Sequence, residues 1–254
     1  MALTPSRKYA CRKDRPDPRD RTFTVPNSPL VLPAHVDLRD LCPPVYDQGS
    51  LGSCTANAIA GAIEFDQQKQ NITRFTPSRL FLYYNERAME GSAGSDSGAT
   101  LRDGMRSVNK VGICAETMWP YDEGAVLRVP PASCYQAARA HHSLFYAHVP
   151  QTLSYMKSCL AAGFPFVFGI SVYESFESDA VARSGSVPLP ASGEGLLGGH
   201  ALLAVGYDDG SARFLVRNSW GAGWGKQGYC TMPYGYLESP DLASDLWTLR
   251  VMSS

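Results

Sequence analysis

Residues 199–221 read GHALLAVGYDDGSARFLVRNSWG. Asp209-Gly210 is a turn signal between two runs rich in β-branched and aromatic residues, which predicts antiparallel strands over His200 to Tyr207 and Arg213 to Ser219. His200 stands ten residues before Gly210 and Asn218 eight after it. Folding at the turn therefore puts both side chains on adjacent strands, within about two positions of each other. An imidazole needs a partner to fix its tautomer, and an asparagine carbonyl can supply it. A lone histidine on a strand is otherwise an ordinary core or surface residue.

Working outward, Gly228 to Met232 and Phe164 to Val172 read as further strands, the second short, apolar and buried. The first half is helical instead. Residues 53–70 place Ala58, Ile59, Ala62 and Ile63 on one stripe, with Ser53 as a candidate N-cap. A second helix starts at Thr76-Pro77 and buries Leu80, Tyr83 and Tyr84. A third runs from Thr100, whose pairing with Asp103 resembles a capping box, to about Lys110, with Gly112 as its stop. A fourth spans Thr152 to Ala162. Ser178 to Gly199, rich in Gly, Ser, Ala and Pro, reads as a long loop. Helices first and strands second predict an α+β protein with two lobes and a cleft between them. The expected division is an arm over 1–33, a mainly helical lobe over 34–145 and a mainly β lobe over 146–254, whose C-terminal tail is free to cross back to the helical lobe.

The 254 residues carry 23 Lys+Arg against 24 Asp+Glu, a net charge of −1, with 44% hydrophobic residues. That balance leaves no global field to attract a nucleic acid polymer or an anionic membrane. No apolar run approaches the ~20 residues that cross a bilayer. The first nine residues contain no apolar stretch, so a signal peptide is not expected in this chain, and cytoplasmic or exported locations both remain open. Seven cysteines occur without any Cys-x-x-Cys spacing. The odd count argues against a fully paired disulfide framework, and the spacing against a zinc ribbon. His141, His142 and His148 have no second ligand cluster, so neither metal nor cofactor is expected.

At least one thiol stays unpaired, and Cys54 sits where a helix begins. A helix N-terminus offers partial positive charge and free N–H groups, which favour a thiolate. A buried cysteine without a role fits that position equally well. Cys, His and Asn in this chain order fit a nucleophile, a base and an orienting group.

Three segments together resemble the papain-like cysteine peptidases, bacterial type. They are Asp47-Gln48-Gly49-Ser50-Leu51-Gly52-Ser53-Cys54, Gly199-His200-Ala201, and Asn218-Ser219-Trp220-Gly221 with Gly223-Trp224-Gly225 and Gly228-Tyr229 behind it. The likeness extends roughly from Asp37 to Tyr234. It implies a papain-like two-lobed fold with a helical left lobe, an antiparallel β-rich right lobe and the active-site cleft between. It also implies a monomeric endopeptidase working through a thioester. Cys54 would attack as thiolate, His200 would pair with it and protonate the leaving amine, and Asn218 would hold the ring. Gln48 would donate to the oxyanion, and Trp220 would cover the His200–Asn218 bond. Ser97 and Gly98 would pair with the substrate backbone, while Gly199, Ala201 and Ala99 would leave room for a bulky apolar side chain. Peptide or protein substrates and cystatin-type inhibitors are the implied partners. An acyl transferase with the same triad, or a non-catalytic binding module on this scaffold, are the alternatives.

The sequence also departs from the family. Its nucleophile segment usually reads Cys-Gly-Ser/Ala-Cys-Trp/Tyr. Here Leu51 replaces the first cysteine and Thr55 the aromatic residue. His200 follows Cys54 by 146 residues and Asn218 by 164, and the extra length is expected in the 178–199 loop. The arm is much shorter than an inhibitory pro-region and is not expected to make an ordinary zymogen. It reads either as a solvated strap on the body or as an anion or regulatory site built from Arg12, Lys13, Arg15, Arg19 and Arg21, with Asp14, Asp17 and Asp20 weakening the second reading.

Overall fold

The computed structural model describes residues 7–24 and 31–251. Along these, the chain runs β1 (His35–Asp37), α1 (Cys54–Lys69), α2 (Arg79–Met89), α3 (Leu101–Lys110), α4 (Ala132–Ala138), β2 (Ser143–His148), α5 (Leu153–Ala161), β3 (Phe166–Tyr173), α6 (Asp179–Ser184), β4 (Leu196–Asp208), β5 (Arg213–Arg217), β6 (Tyr229–Pro233), α7 (Tyr234–Glu238) and β7 (Ala243–Val251). The strands form one sheet in the order β2-β7-β3-β4-β5-β6, and β1 pairs with the end of β4. Each named pairing is antiparallel.

β3 is buried along nearly its whole length, as a mainly apolar sequence interrupted by Ser171 demands. One face of the sheet joins Phe166, Phe168, Phe214 and Met232 in a core with the aromatic residues Phe176, Trp220 and Trp224. The other face, through Val167, Leu203 and Trp247, packs on α1 and α3. α1 is buried on almost all sides rather than along one stripe. Its Ala56, Ala60 and Gly61 let neighbours approach from every direction, and a Cβ at Gly61 would lie 3.3 Å from Arg217 Nε. The C-terminal strand is tied to this helix, where Val251 N–H donates to Asp66 Oδ2 at 2.7 Å.

Several local expectations need correction. Ser53 does not cap α1. Its hydroxyl meets Tyr121 OH at 2.5 Å and accepts from Asn57 Nδ2 at 3.1 Å. α2 starts at Arg79, not at Pro77, because Ser78 accepts from Phe81 N–H and is the true cap. Thr100 does cap α3, accepting from Asp103 N–H. The β4–β5 connection is not a two-residue turn: Asp208 pairs with Arg213, and Ala212 takes up φ +53°. The stretch read as loop over 178–199 contains α6 and the first residues of β4, with Ser178 accepting from Val181 N–H.

Candidate active site

The side chain of Cys54 opens α1 and is wholly buried. The Ser53 hydroxyl is engaged elsewhere and makes no cap bond, so among the described residues the start of α1 remains an uncapped positive end. The Cys54 sulfur is held well below the ordinary thiol value. The largest cause is a hydrogen bond from the Cys11 thiol; the His200 ring and the Ala201 N–H add to it, against the opposing effect of burial.

His200 is fully buried on β4 and Asn218 follows the end of β5. His200 Nε2–H donates to Asn218 Oδ1 at 2.9 Å. That carbonyl is itself fixed by Ser219 N–H at 2.8 Å. With Nε2 engaged, the other ring nitrogen is left for the sulfur, and Nδ1 has no nitrogen or oxygen partner among the described residues. Trp220 stacks on the imidazole with ring centroids 4.9 Å apart and planes 26° apart. Phe176 and Trp224 back it with centroids at 5.4 and 5.1 Å, so the His200–Asn218 bond lies under an aromatic roof.

Gln48 is buried at the same centre. Its Oε1 accepts from Ser219 Oγ at 2.6 Å and its Nε2 donates to Leu51 O at 2.9 Å. An amide nitrogen has two protons, so one remains for a ligand. The two positions that depart from the usual nucleophile segment are absorbed into packing. Leu51 joins Leu80 and Ala125 in a small core. Thr55 Oγ1 donates to Glu86 Oε2 at 2.7 Å. All seven cysteines are free.

Residues 32–246 match the papain family cysteine protease family. The chain belongs to this family of cysteine proteases. An uncharacterised peptidase C1-like protein of Acanthamoeba polyphaga mimivirus is 41% identical over 97% of this chain and 88% of its own length. A cathepsin B-like protein of Giardia intestinalis is 30% identical over 82% of the chain and 70% of its own. Among solved structures, xylellain, a cysteine protease from Xylella fastidiosa, superposes with a TM-score of 0.89 at 40% identity, covering 98% of both chains. The papain-family fold, α+β and two-lobed, is the one found.

In this papain-family protease the cleft is filled by the chain's own arm. Cys11 N–H donates to Gly199 O at 3.0 Å and Arg12 N–H to Ala99 O at 3.1 Å. Ala10 and Arg12 thereby form parallel bridges with Gly199 and Thr100. A Cβ at Gly98, which has φ +71°, would lie 1.8 Å from Ala10 O. Only glycine allows so close an approach with that backbone. Ser97 O accepts from Arg12 Nη1 at 3.1 Å. Ala201 and Ala99 are buried beneath the arm's path. Tyr9 meets the His200 ring edge-on at 6.4 Å, and the Arg7 guanidinium lies 3.8 Å from the Trp220 ring centroid.

The five arm cations do not gather at one place. Arg12, Lys13 and Arg15 border one cavity of about 720 Å³, together with Asp14, Asp17 and Glu90. Arg19 and Arg21 border a different, smaller one. Arg12 pairs with Glu90, Lys13 donates to Pro240 O at 3.1 Å and Arg19 clasps Asp17. His141 packs on Phe75 and His148 on Trp247.

Sequence reasoning missed Cys11, Tyr9, Phe176 and the Ala201 N–H at this centre. Phe176 carried a weak signal as an aromatic residue close after a buried strand. Cys11 carried none, because only the fold brings it to Cys54.

Proposed function

We propose that the protein is an endopeptidase hydrolysing peptide bonds through a thioester on Cys54. The observation that carries this reading is the buried His200 ring, bonded through Nε2 to Asn218 and interacting with a Cys54 sulfur of lowered pKa at an uncapped helix start. The thiolate attacks the scissile carbonyl carbon. The resulting oxyanion is held by the remaining Gln48 Nε2–H and by the Cys54 backbone N–H, and one such donor is worth about 3 kcal/mol. The imidazolium of His200 gives its proton to the leaving amine as the C–N bond breaks. His200 then takes a proton from water, whose oxygen attacks the thioester carbon and expels the thiolate. Asn218 keeps Nε2 protonated throughout, and Trp220 keeps water from that bond.

Ser97, Gly98, Gly199 and Ala201 would receive the substrate, with a bulky apolar side chain over Ala99 and Ala201. Residues 9–12 already occupy this track, so a peptide, or a cystatin-type inhibitor, enters only by displacing them. The resting chain is on this reading a latent peptidase. Labelling with an epoxide thiol reagent and mapping the modified residue tests the assignment. Modification of Cys54 that is lost in His200→Ala is expected, as are hydrolysis products rather than acyl-transfer products by mass spectrometry. Labelling spread over the other six thiols overturns the assignment.

A further inference from the structure

The Cys11 thiol packs against the buried cluster that contains Cys54. A Cβ on Gly52, two residues before Cys54, would lie 3.0 Å from Ala10 Cβ, so the arm crosses directly over the start of α1, and the two thiols interact there. Both are unpaired. Cys11 is partly buried beside Gly169, where a Cβ on that glycine would lie 3.6 Å from Cys11 Sγ. Its backbone is pinned on both sides by the bonds to Gly199 and Ala99. The flanking ion pairs Lys8–Asp96 and Arg12–Glu90 fix the segment lengthwise. Asp14, two residues past Arg12, is anchored by Trp247 Nε1–H at 2.8 Å and Arg102 N–H at 3.1 Å. The two sulfurs are therefore held together by the docked arm, at a high effective concentration.

We propose that Cys11 and Cys54 form a reversible disulfide that locks the arm over the cleft, so that the latent protein is closed by peroxide and opened by thiol reductants. The proposal rests on Cys54 being the nucleophile. Hydrogen peroxide is the oxidant; an open cavity of about 220 Å³ bordered by Cys11, Gly169, Gly199 and Asp245 reaches the Cys11 side of the pair, and Cys54 is reached when the arm lifts. The Cys54 thiolate takes one peroxide oxygen, the O–O bond breaks, and hydroxide leaves to be protonated to water. The Cys54 sulfenic acid is then attacked by the Cys11 sulfur. The S–O bond breaks, the S–S bond forms, and the Cys11 proton leaves with the oxygen as a second water. Two thiols lose two electrons and the peroxide gains them. A dithiol reductant reverses the bond by exchange. The chemistry suits the two environments: Cys54 is the thiolate that reacts first, and Cys11 is kept protonated until it resolves the sulfenic acid.

Cys114 and Cys134 are also hydrogen-bond partners, but they lie in a separate small core with Phe81 and Ala138. They provide an internal comparison within the same chain. The test uses the full chain treated with a severalfold molar excess of peroxide, alkylated, digested and mapped by mass spectrometry, with peptidase activity followed before and after dithiothreitol. Expected are a Cys11–Cys54 linked peptide, at least a tenfold fall in activity, and full recovery on reduction. In Cys11→Ser the same treatment should carry Cys54 on to sulfinic acid, with activity that reductant no longer restores. Sulfinic Cys54 beside a free Cys11 in the unaltered chain overturns the proposal while leaving Cys54 as nucleophile. A bond confined to Cys114 and Cys134 also overturns it. A Cys11–Cys54 bond with undiminished activity would instead overturn the reading of Cys54 as nucleophile, and with it the lock.

Discussion

Replacing Gly199 by alanine should undock the arm without straining the site it leaves. Gly199 lies outside the left-handed region, so its backbone accepts a side chain. The obstacle is the arm: a Cβ there would stand 2.0 Å from Cys11 O and 3.1 Å from Cys11 C. Both are backbone atoms and cannot swing aside as a flexible side chain would. Clearing them breaks the Cys11 N–H bond to Gly199 O and the Arg12 N–H bond to Ala99 O. At about 1 kcal/mol net for each hydrogen bond, the docked state loses about 2 kcal/mol. That is a ~30-fold rise in the open population.

Two measurements read that population. Trypsin cleavage after Arg12 or Lys13 tracks the open fraction when opening is fast relative to cutting, and iodoacetamide alkylation of Cys54 tracks access to the sulfur. Both rates should rise together, by about 30-fold on these estimates. Gly223→Ala is the control, since a Cβ there meets nothing within 4 Å. Rates for Gly199→Ala within twofold of the unaltered chain would refute the idea that residues 10–12 are held by these backbone bonds.

Three further outcomes follow from the same contacts. Asn218→Ala leaves His200 Nε2 and Ser219 N–H without their acceptor, and hydrogen bonds to a charged ring are worth about 1.5–3 kcal/mol. A ~10- to 150-fold fall in kcat/KM on a fluorogenic peptide is expected, and an unchanged value would remove Asn218 from the site. Burial, then the charge of Asp245, push Asp14 up from 3.8 to about 7. The docked arm thus keeps a proton that the free arm loses. Asp14 contributes most to docking below pH 3.8, and its contribution fades as pH rises to about 7 and is absent above that. The difference in amide exchange at Cys11 and Arg12 between the unaltered chain and Asp14→Asn, at matched pH, should follow this course; no pH-dependent difference between 3.8 and 7 would refute it. Arg79→Met strands Glu116, which the guanidinium grips at 2.9 and 2.7 Å, and removes the bonds to Asp47 O and Asn57 Oδ1. A loss of about 3 kcal/mol in urea unfolding is expected, whereas a loss under 1 kcal/mol would mean that water already screens the pair.

The parts of the fold legible in the sequence are those written in short-range pattern. The Thr100 cap and the Leu101, Met105, Val108 stripe are local, and α3 forms where they place it. His200 and Asn218 were placed close together by counting from a turn, and the 2.9 Å bond between them agrees although the turn is longer than its signal. β7 was illegible for a physical reason. Its sequence ASDLWTLRV opens on small and acidic residues, and Asp245 has φ +58°. Only pairing on both sides, with β2 and β3, makes it a strand. α1 was legible as a helix but not as a wholly buried one, because alanine and glycine give a weak periodic signal on any face.

The arm is the harder case, and it explains why the cleft could be recognised while its occupant could not. Residues 12–21 interleave Arg12, Lys13, Arg15, Arg19 and Arg21 with Asp14, Asp17 and Asp20, which is how a solvated segment is written. Yet Arg12 pairs with Glu90, Asp20 with Arg102, and Asp14 accepts from Trp247 far along the chain. A charge pattern records the sign of each group but not the address of its partner. Cys11 shows the same limit in its sharpest form. Next to Arg12 it is one thiol among seven, and its meaning comes only from standing against Cys54. The sequence motif therefore describes a peptidase ready to act, whereas in the packed chain Cys54 is already covered. The difference between the two lies in contacts that span most of the chain.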